Sequence, residues 1–403
     1  MTIGPGQPIS VGTLLVITGA DADLGTDAQY GAIVAANLHG DVLGHPIEFN
    51  HQDELCSAEG GTAGARALVA DPQIVAIIGT SCSSAGVPAA QIASQAGVLI
   101  VSPSNTAPSL THPDTHEPFY ARTAHNDEVQ GEAMARFARD VLQVNTAASV
   151  HDGSPYSQQL QQVFRDRFEE FGGTLAGEAQ AVAPTDTDMR PVLTTIAQSS
   201  PELIYYPIFT AGGALMTQQA RENPDLEGVH LAGADGMQSP TFLDAASEAA
   251  LGLYASGPDL AFETPFYRDE FLPAYQELSG TQGTLSLFHA HAFDAMNMLI
   301  QSIEQVAVEE ADGSLTIDRG QLRDAFFGIS NYEGITGNLT CNETGDCADP
   351  KISVSVVENV AEVGEANCGP RSGDVCFNRI WPQGEPGASP GASPETSPAA
   401  SPT

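Results

Sequence analysis

From Ser10 onward the chain keeps to one rhythm, in which an apolar run too short for a helix is followed by a stretch with helical spacing. Ser10 to Ile17 reads as a buried strand, and Ala28 to Leu38 as a helix packing through small apolar residues. Ile47 to His51, Ile74 to Ile78 and Val98 to Val101 read as further strands, separated by helices over Gly61 to Ala70 and Ser84 to Ala96. A run as uniformly apolar as Ile74 to Ile78 belongs to a strand covered on both faces, which means a parallel sheet with helices on either side. The rhythm restarts with strands at Thr146 to Val150, Leu175 to Val182, Leu203 to Tyr206 and Val229 to Ala232, and helices at Tyr156 to Phe171, Met189 to Ala197 and Gly213 to Glu222.

Two such halves fit a length of 403 residues, which exceeds one comfortable core. The fold class expected is α/β, with two similar doubly wound parallel-sheet lobes. Later segments, Ser286 to Val306, Arg319 to Phe327 and Ile352 to Val357, are too few for a third lobe and complete the first two. The chain then crosses between lobes several times, which makes a hinge. The expected division is 8–123 plus 257–331 for one lobe, 124–256 plus 332–381 for the other, and a tail over 382–403. In that tail a proline recurs at every fourth position among Ala, Ser and Gly, a composition that fills no core.

Charge narrows the function. The 14 Lys and Arg against 51 Asp and Glu leave a formal net charge of −37, a surface that repels phosphate backbones and anionic headgroups, so nucleic-acid and membrane-surface binding are not expected. The same excess serves equally well as a solubility device in a salty or hot habitat. No stretch approaches the roughly 20 apolar residues of a membrane span. The cysteines are Cys56, Cys82, Cys341, Cys347, Cys368 and Cys376, with no CxxC pair. The last four form two close pairs in turn-rich text, consistent with disulfides and an oxidising, extracytoplasmic compartment. No leader precedes Met1, and the reading is of a mature chain with a replacement start Met.

Ligands of parallel α/β sheets sit beyond the carboxyl ends of the strands. After Ile74 to Ile78, Gly79 leads through Thr80 and Ser81 to Cys82, Ser83 and Ser84 at a helix start, a seat for a carboxylate or simply a helix cap. After Val98 to Val101, Pro103 and Pro108 flank Ser104, Asn105 and Thr106, where a hydroxyl and a carbonyl suit an ammonium or form only a structural turn. Val229 to Ala232 leads to Asp235, a carboxylate that a cation in a cleft would compensate.

On these residues the chain resembles the type I periplasmic binding proteins, specifically the branched-chain amino-acid substrate-binding proteins of ABC transporters. The likeness runs from about Val11 to Ile352 and rests on ordered pieces. They are Thr18 and Gly19 with Leu24 and Gly25, Ile77 to Gly79 with Cys82 to Ser84, Ser102 to Pro108, Arg122 and Thr123 with Asp127, Gln130 and Gly131, His151 and Asp152 with Tyr156, and Gly345 with Asp346. The resemblance implies that Ser83 and the Thr106 amide hold a ligand carboxylate, with Ser84 beside them. It assigns the Ser104 carbonyl, the Thr106 hydroxyl and Asp235 to an α-ammonium, and Tyr156, Phe209 and Leu24 to the side chain. It also implies a Cys56 to Cys82 disulfide. Asp235 stands where the family has Glu, and Leu24 and Phe209 where it has tyrosines.

The implied partners are a small-molecule amino acid and a membrane permease, with the protein a monomer and no cofactor or metal. The alternative within the same fold is a carrier or sensor for an amide or aromatic carboxylic acid. An enzyme is not expected, because G-x-S-x-G, HExxH and P-loop motifs are absent, and His289 and His291 would face apart on a helix.

Overall fold

The computed structural model describes residues 1–262, 264–360 and 376–382. The first lobe is built on a five-stranded sheet in the order Ile47–Asp53, Ile9–Leu15, Ile74–Gly79, Leu99–Ser102, Tyr120–Arg122, with every neighbouring pair parallel. Each residue of Ile74–Gly79 is buried, because helices cover both faces. Ala58–Ala70 and Ser83–Ala96 pack on one side, while Ala22–His39, His289–Val306 and Arg319–Phe327 pack on the other. The helices Ala22–His39 and His289–Val306 lie so close that a Cβ on Gly31 would stand 2.0 Å from the carbonyl oxygen of His289, so only glycine fits there. Asp27, on the former helix, accepts from the amides of Phe288 (3.0 Å) and His289 (2.8 Å) and ties down the start of the latter.

The second lobe carries a sheet in the order Phe377–Trp381, Ile352–Val357, Tyr254–Pro258, His230–Gly233, Leu203–Tyr205, Thr146–His151, Thr174–Leu175. Its middle strands are parallel, but Ile352–Val357 runs antiparallel to Tyr254–Pro258 and Phe377–Trp381 antiparallel to Ile352–Val357. The expected purely parallel sheet is therefore mixed at this edge. The reason is the hinge: one strand leaves the lobe at Pro258 and the next enters opposite it at Ile352. The strand expected over Leu175 to Val182 is broken into Thr174–Leu175 and Gln180–Ala181, with Gly177 between them in the left-handed region at φ 86°.

The expected lobe boundaries shift in two places. Thr2–Ile3 pairs with Leu315–Thr316 and Ile3 lies in the first core, so that lobe includes residues before 8. Ile335, Leu339 and Cys347 also lie in the first core, so the final crossing follows Cys347 rather than 331. Asp294 holds that segment down, accepting from the amides of Ile335 and Thr336, both at 2.9 Å, and from the Thr336 hydroxyl at 2.6 Å. The disulfide hairpin Cys341–Cys347 thus belongs to the first lobe. Cys56 and Cys82 are also joined, and Cys376 is oxidised. Cys368 and the tail from 383 lie outside the described residues.

Chain crossings meet side by side: Thr123 and His125, then Pro258 and Asp259, then Asp349 and Lys351 line one cavity of about 10 Å³. Beside it Arg122 is fully buried and paired through Nε with Asp346. Its other N–H groups donate to the carbonyls of Asn105 (3.2 Å) and Ala107 (2.9 Å) and to the Thr111 hydroxyl (2.6 Å). Burial works against the Asp346 charge, but Arg122 holds it below the usual carboxylate range. Asp346→Ala leaves that guanidinium uncompensated and is expected to cost about 3–5 kcal/mol, seen as a lower thermal midpoint. A midpoint equal to the parent's would remove this account of the hinge.

Candidate functional site

The first wall of the site is two loops at the carboxyl ends of Ile74–Gly79 and Leu99–Ser102. Beneath the first, Glu54 is buried and accepts from the amides of Ser81 (3.0 Å) and Cys82 (2.7 Å), with burial pushing its carboxyl up to about 8. The Cys56–Cys82 disulfide pins the same loop from the side, and the Ser84 hydroxyl donates to the Cys56 carbonyl at 3.0 Å. The helix Ser83–Ala96 has Cys82 at its N-cap with no side-chain cap, so neither serine does the capping that local sequence allows. Its first turn stays available to an anion.

Hydroxyls fasten the two loops together. Ser102 donates to the Thr80 carbonyl (2.7 Å), Ser104 to the Ser81 carbonyl (3.0 Å) and Thr80 to the Asn105 side chain (2.6 Å). Ser83 Oγ accepts from the Ala107 amide at 3.4 Å. Thr106 is different: its Oγ1 is buried without a hydrogen-bond partner.

The facing wall comes from the second lobe. Asp235, just past the strand His230–Gly233, is 5% exposed and accepts on Oδ1 from Gln130 Nε2 (2.7 Å) and the Tyr156 hydroxyl (2.9 Å). Gln130 is itself oriented by His125, whose Nε2 meets Gln130 Oε1. Burial raises Asp235 to about 6 in spite of these donors. Asp127 opens the helix Asp127–Arg136, and its amide donates to the Thr106 carbonyl at 2.9 Å across the lobe boundary. Both of its carboxylate oxygens are buried with no partner. Burial first, then the neighbouring Asp235 charge, push it well above the ordinary carboxylate value.

Asp127 and Gln130 count only as markers of resemblance in the sequence, and no local pattern points to them as site residues. What singles out Asp127 is a carboxylate buried with no salt-bridge partner among the described residues, and what singles out Gln130 is its bond to Asp235; both are visible only after folding.

Apolar groups close the rest of the gap. Leu24 packs with Cys82, Val16 and Leu287, and Phe209 packs against this cluster from the other lobe. The rings of Phe209 and Tyr156 stand 5.2 Å apart. A chamber of about 470 Å³ adjoins, lined by Asp21, Leu55 and Ser84 on one side and Asp152, Ile208 and Phe209 on the other. Ser84 is therefore turned toward the disulfide and this chamber, while Ser83 and Ser104 bond within the first wall and Thr106 meets Asp127 of the other lobe. Among the described residues no group of three or more His, Cys, Asp or Glu is placed to hold a metal. No helix there is long and apolar enough to cross a membrane.

Known proteins share this fold. A family model described as periplasmic binding protein matches residues 8–349. A Leu/Ile/Val-binding protein homolog from Brucella melitensis is 25% identical over 349 residues, covering 86% of this chain and 90% of that one. The leucine-, isoleucine-, valine-, threonine- and alanine-binding protein of Pseudomonas aeruginosa is 26% identical, covering 82% of this chain and 84% of its own. The crystal structure of a leucine-binding protein from Thermotoga maritima superposes with a TM-score of 0.78 at 25% identity, over 88% of this chain and 96% of that one. A solute-binding protein from R. palustris, solved with benzoate, shares the fold at a TM-score of 0.74 and 18% identity, over 91% of this chain and 99% of that one. The chain belongs to the periplasmic binding protein family, among relatives that are branched-chain amino-acid-binding members.

Proposed function

We propose that this protein captures a free α-amino acid between its lobes, outside the cytoplasm, and delivers it as a monomer to the membrane permease of an ABC transporter. One observation carries this reading: Asp127 and Asp235 are buried beside each other with no salt-bridge partner among the described residues, and the Asp127 amide meets the Thr106 loop of the other lobe, next to an uncapped helix start. A zwitterion supplies the missing charge at one end and an anion for the donors at the other. The α-ammonium lies between Asp235, Asp127, the Thr106 hydroxyl and the Ser104 carbonyl. The α-carboxylate is met by Ser83 and the Thr106 amide. Leu24, Phe209 and the ring of Tyr156 then surround an aliphatic or aromatic side chain. The names of the Brucella, Pseudomonas and Thermotoga relatives point the same way. An aromatic carboxylic acid, the ligand class of the R. palustris neighbour, brings no cation to the paired carboxylates and so fits less well.

Calorimetric titration with a panel of amino acids should find micromolar or tighter binding for at least one with an apolar side chain. Asp235→Ala should weaken it by roughly 30-fold or more, the cost of removing one partner of a buried charge pair. Binding of benzoate or an amide with no amino acid bound would sink the proposal.

Binding should also depend on pH. Burial holds Asp235 at about 6 before a cation arrives, and an ammonium beside it favours the carboxylate. Binding therefore releases a proton at low pH, and affinity should be highest above 6 and fall as pH drops through that value. Asp127 is shifted upward as well, chiefly by burial, so its ionisation acts in the same direction. An Asp235→Asn variant with the same pH profile as the parent would show that this group is not the one responsible.

A further inference from the structure

We infer that Asp21 and Asp23 are the closure latch of this protein, positioning residues that set how long the lobes stay shut without touching the ligand. The inference rests on the binding reading above only for its kinetic consequence. Asp21 occupies the N-cap position of its own helix, Ala22–His39, yet its side chain makes no cap there. Its Oδ1 instead accepts at 3.1 Å from the amide of Thr210, the first residue of the helix Thr210–Glu222 in the other lobe. That helix has no side-chain cap of its own, because its N-cap residue is Phe209. One carboxylate thus has two helix starts within its reach, and in the closed form it serves the distant one. Opening breaks that bond and returns Asp21 to the unpaired amides of its own helix.

Asp23 reinforces the contact, accepting on Oδ2 from the Thr241 amide (3.2 Å) and hydroxyl (2.6 Å). Both aspartates flank Ala22 at the start of the helix Ala22–His39, whose first turn includes Leu24 of the inter-lobe cluster, and Thr210 directly follows Phe209. The latch therefore grips the second lobe beside the residue that lines the ligand. On the far side of the helix pair, Gln159 exchanges hydrogen bonds with Ser109, accepting from its amide and donating to its hydroxyl, both at 2.9 Å. Closure has an opposing cost, since Asp21, already beside Asp23, is partly covered and comes near Asp152 of the other lobe, in a chain of net charge −37. A cap gained against charge crowding leaves the closed form poised rather than locked.

The test compares the parent with Asp21→Ala/Asp23→Ala, and with Asp21→Asn, which keeps an acceptor but not the charge. Radiolabelled L-leucine dissociation is followed by chase, and lobe separation by small-angle X-ray scattering without ligand. The double variant should release L-leucine about tenfold faster with an unchanged association rate, the size expected of a lost cap. Asp21→Asn should recover part of the difference, and the ligand-free thermal midpoint should stay put. An unchanged dissociation rate, or a faster one accompanied by a lowered ligand-free midpoint, overturns the latch. Should the parent not bind L-leucine or any other amino acid, the ligand reading has failed and scattering decides alone. A ligand-free double variant with a larger radius of gyration than the parent supports the latch, and an identical one overturns it.

Discussion

A guanidinium taken fully out of water has to have its N–H groups answered by protein, and Arg122 is answered by the loop after Leu99–Ser102 and by the segment just before the last crossing. Its ion pair reaches Asp346, just before the last crossing, and its remaining donors reach the carbonyls of Asn105 and Ala107 and the Thr111 hydroxyl. The loop that carries Ser104 and Thr106 is therefore held from behind by the hinge itself. Moving the hinge without moving that wall would strand a buried charge, so the lobes turn about a rigid point.

The site uses the opposite arrangement. Where the hinge pairs its charges, the gap between the lobes leaves Asp127 and Asp235 close together, with the neutral Gln130 and Tyr156 side chains donating to Asp235. Neutral donors orient a carboxylate but do not cancel its charge, which is why burial still raises Asp235 to about 6. On the proposed reading, a bound ammonium removes this cost. The lobe-to-lobe bonds at Asp21 and Asp23 lie outside that charged centre, so capture and closure are borne by different residues.

Much of this was legible in the chain. Fully apolar runs such as Ile74 to Ile78 report burial on both faces, and the serines after that strand mark a helix start wherever they occur. Tyr120–Arg122 and Tyr254–Pro258 escaped notice because a three-residue strand and one containing Gly and Pro carry little periodic signal. The return of the chain to the second lobe was placed too early because Ile335 and Leu339 give no sign of which core they enter. Asp294 decides it by seizing the Ile335 and Thr336 amides. Asp21 takes the N-cap position of Ala22–His39 only in the structure, and in its own helix it caps nothing.

The amino-acid sequence by itself determined the alternation of strands and helices, the two lobes, the loops at the strand ends and the acidic surface, because periodicity, turn chemistry and net charge are local or additive properties. Tertiary structure alone decided that Asp127 stands beside Asp235, that Ser84 turns to the disulfide while Ser83 joins the neighbouring loop, and that Asp21 reaches across the gap to Thr210. These depend on where water is excluded and on which backbone groups remain unpaired once the lobes meet, and neither is written at any single position of the chain.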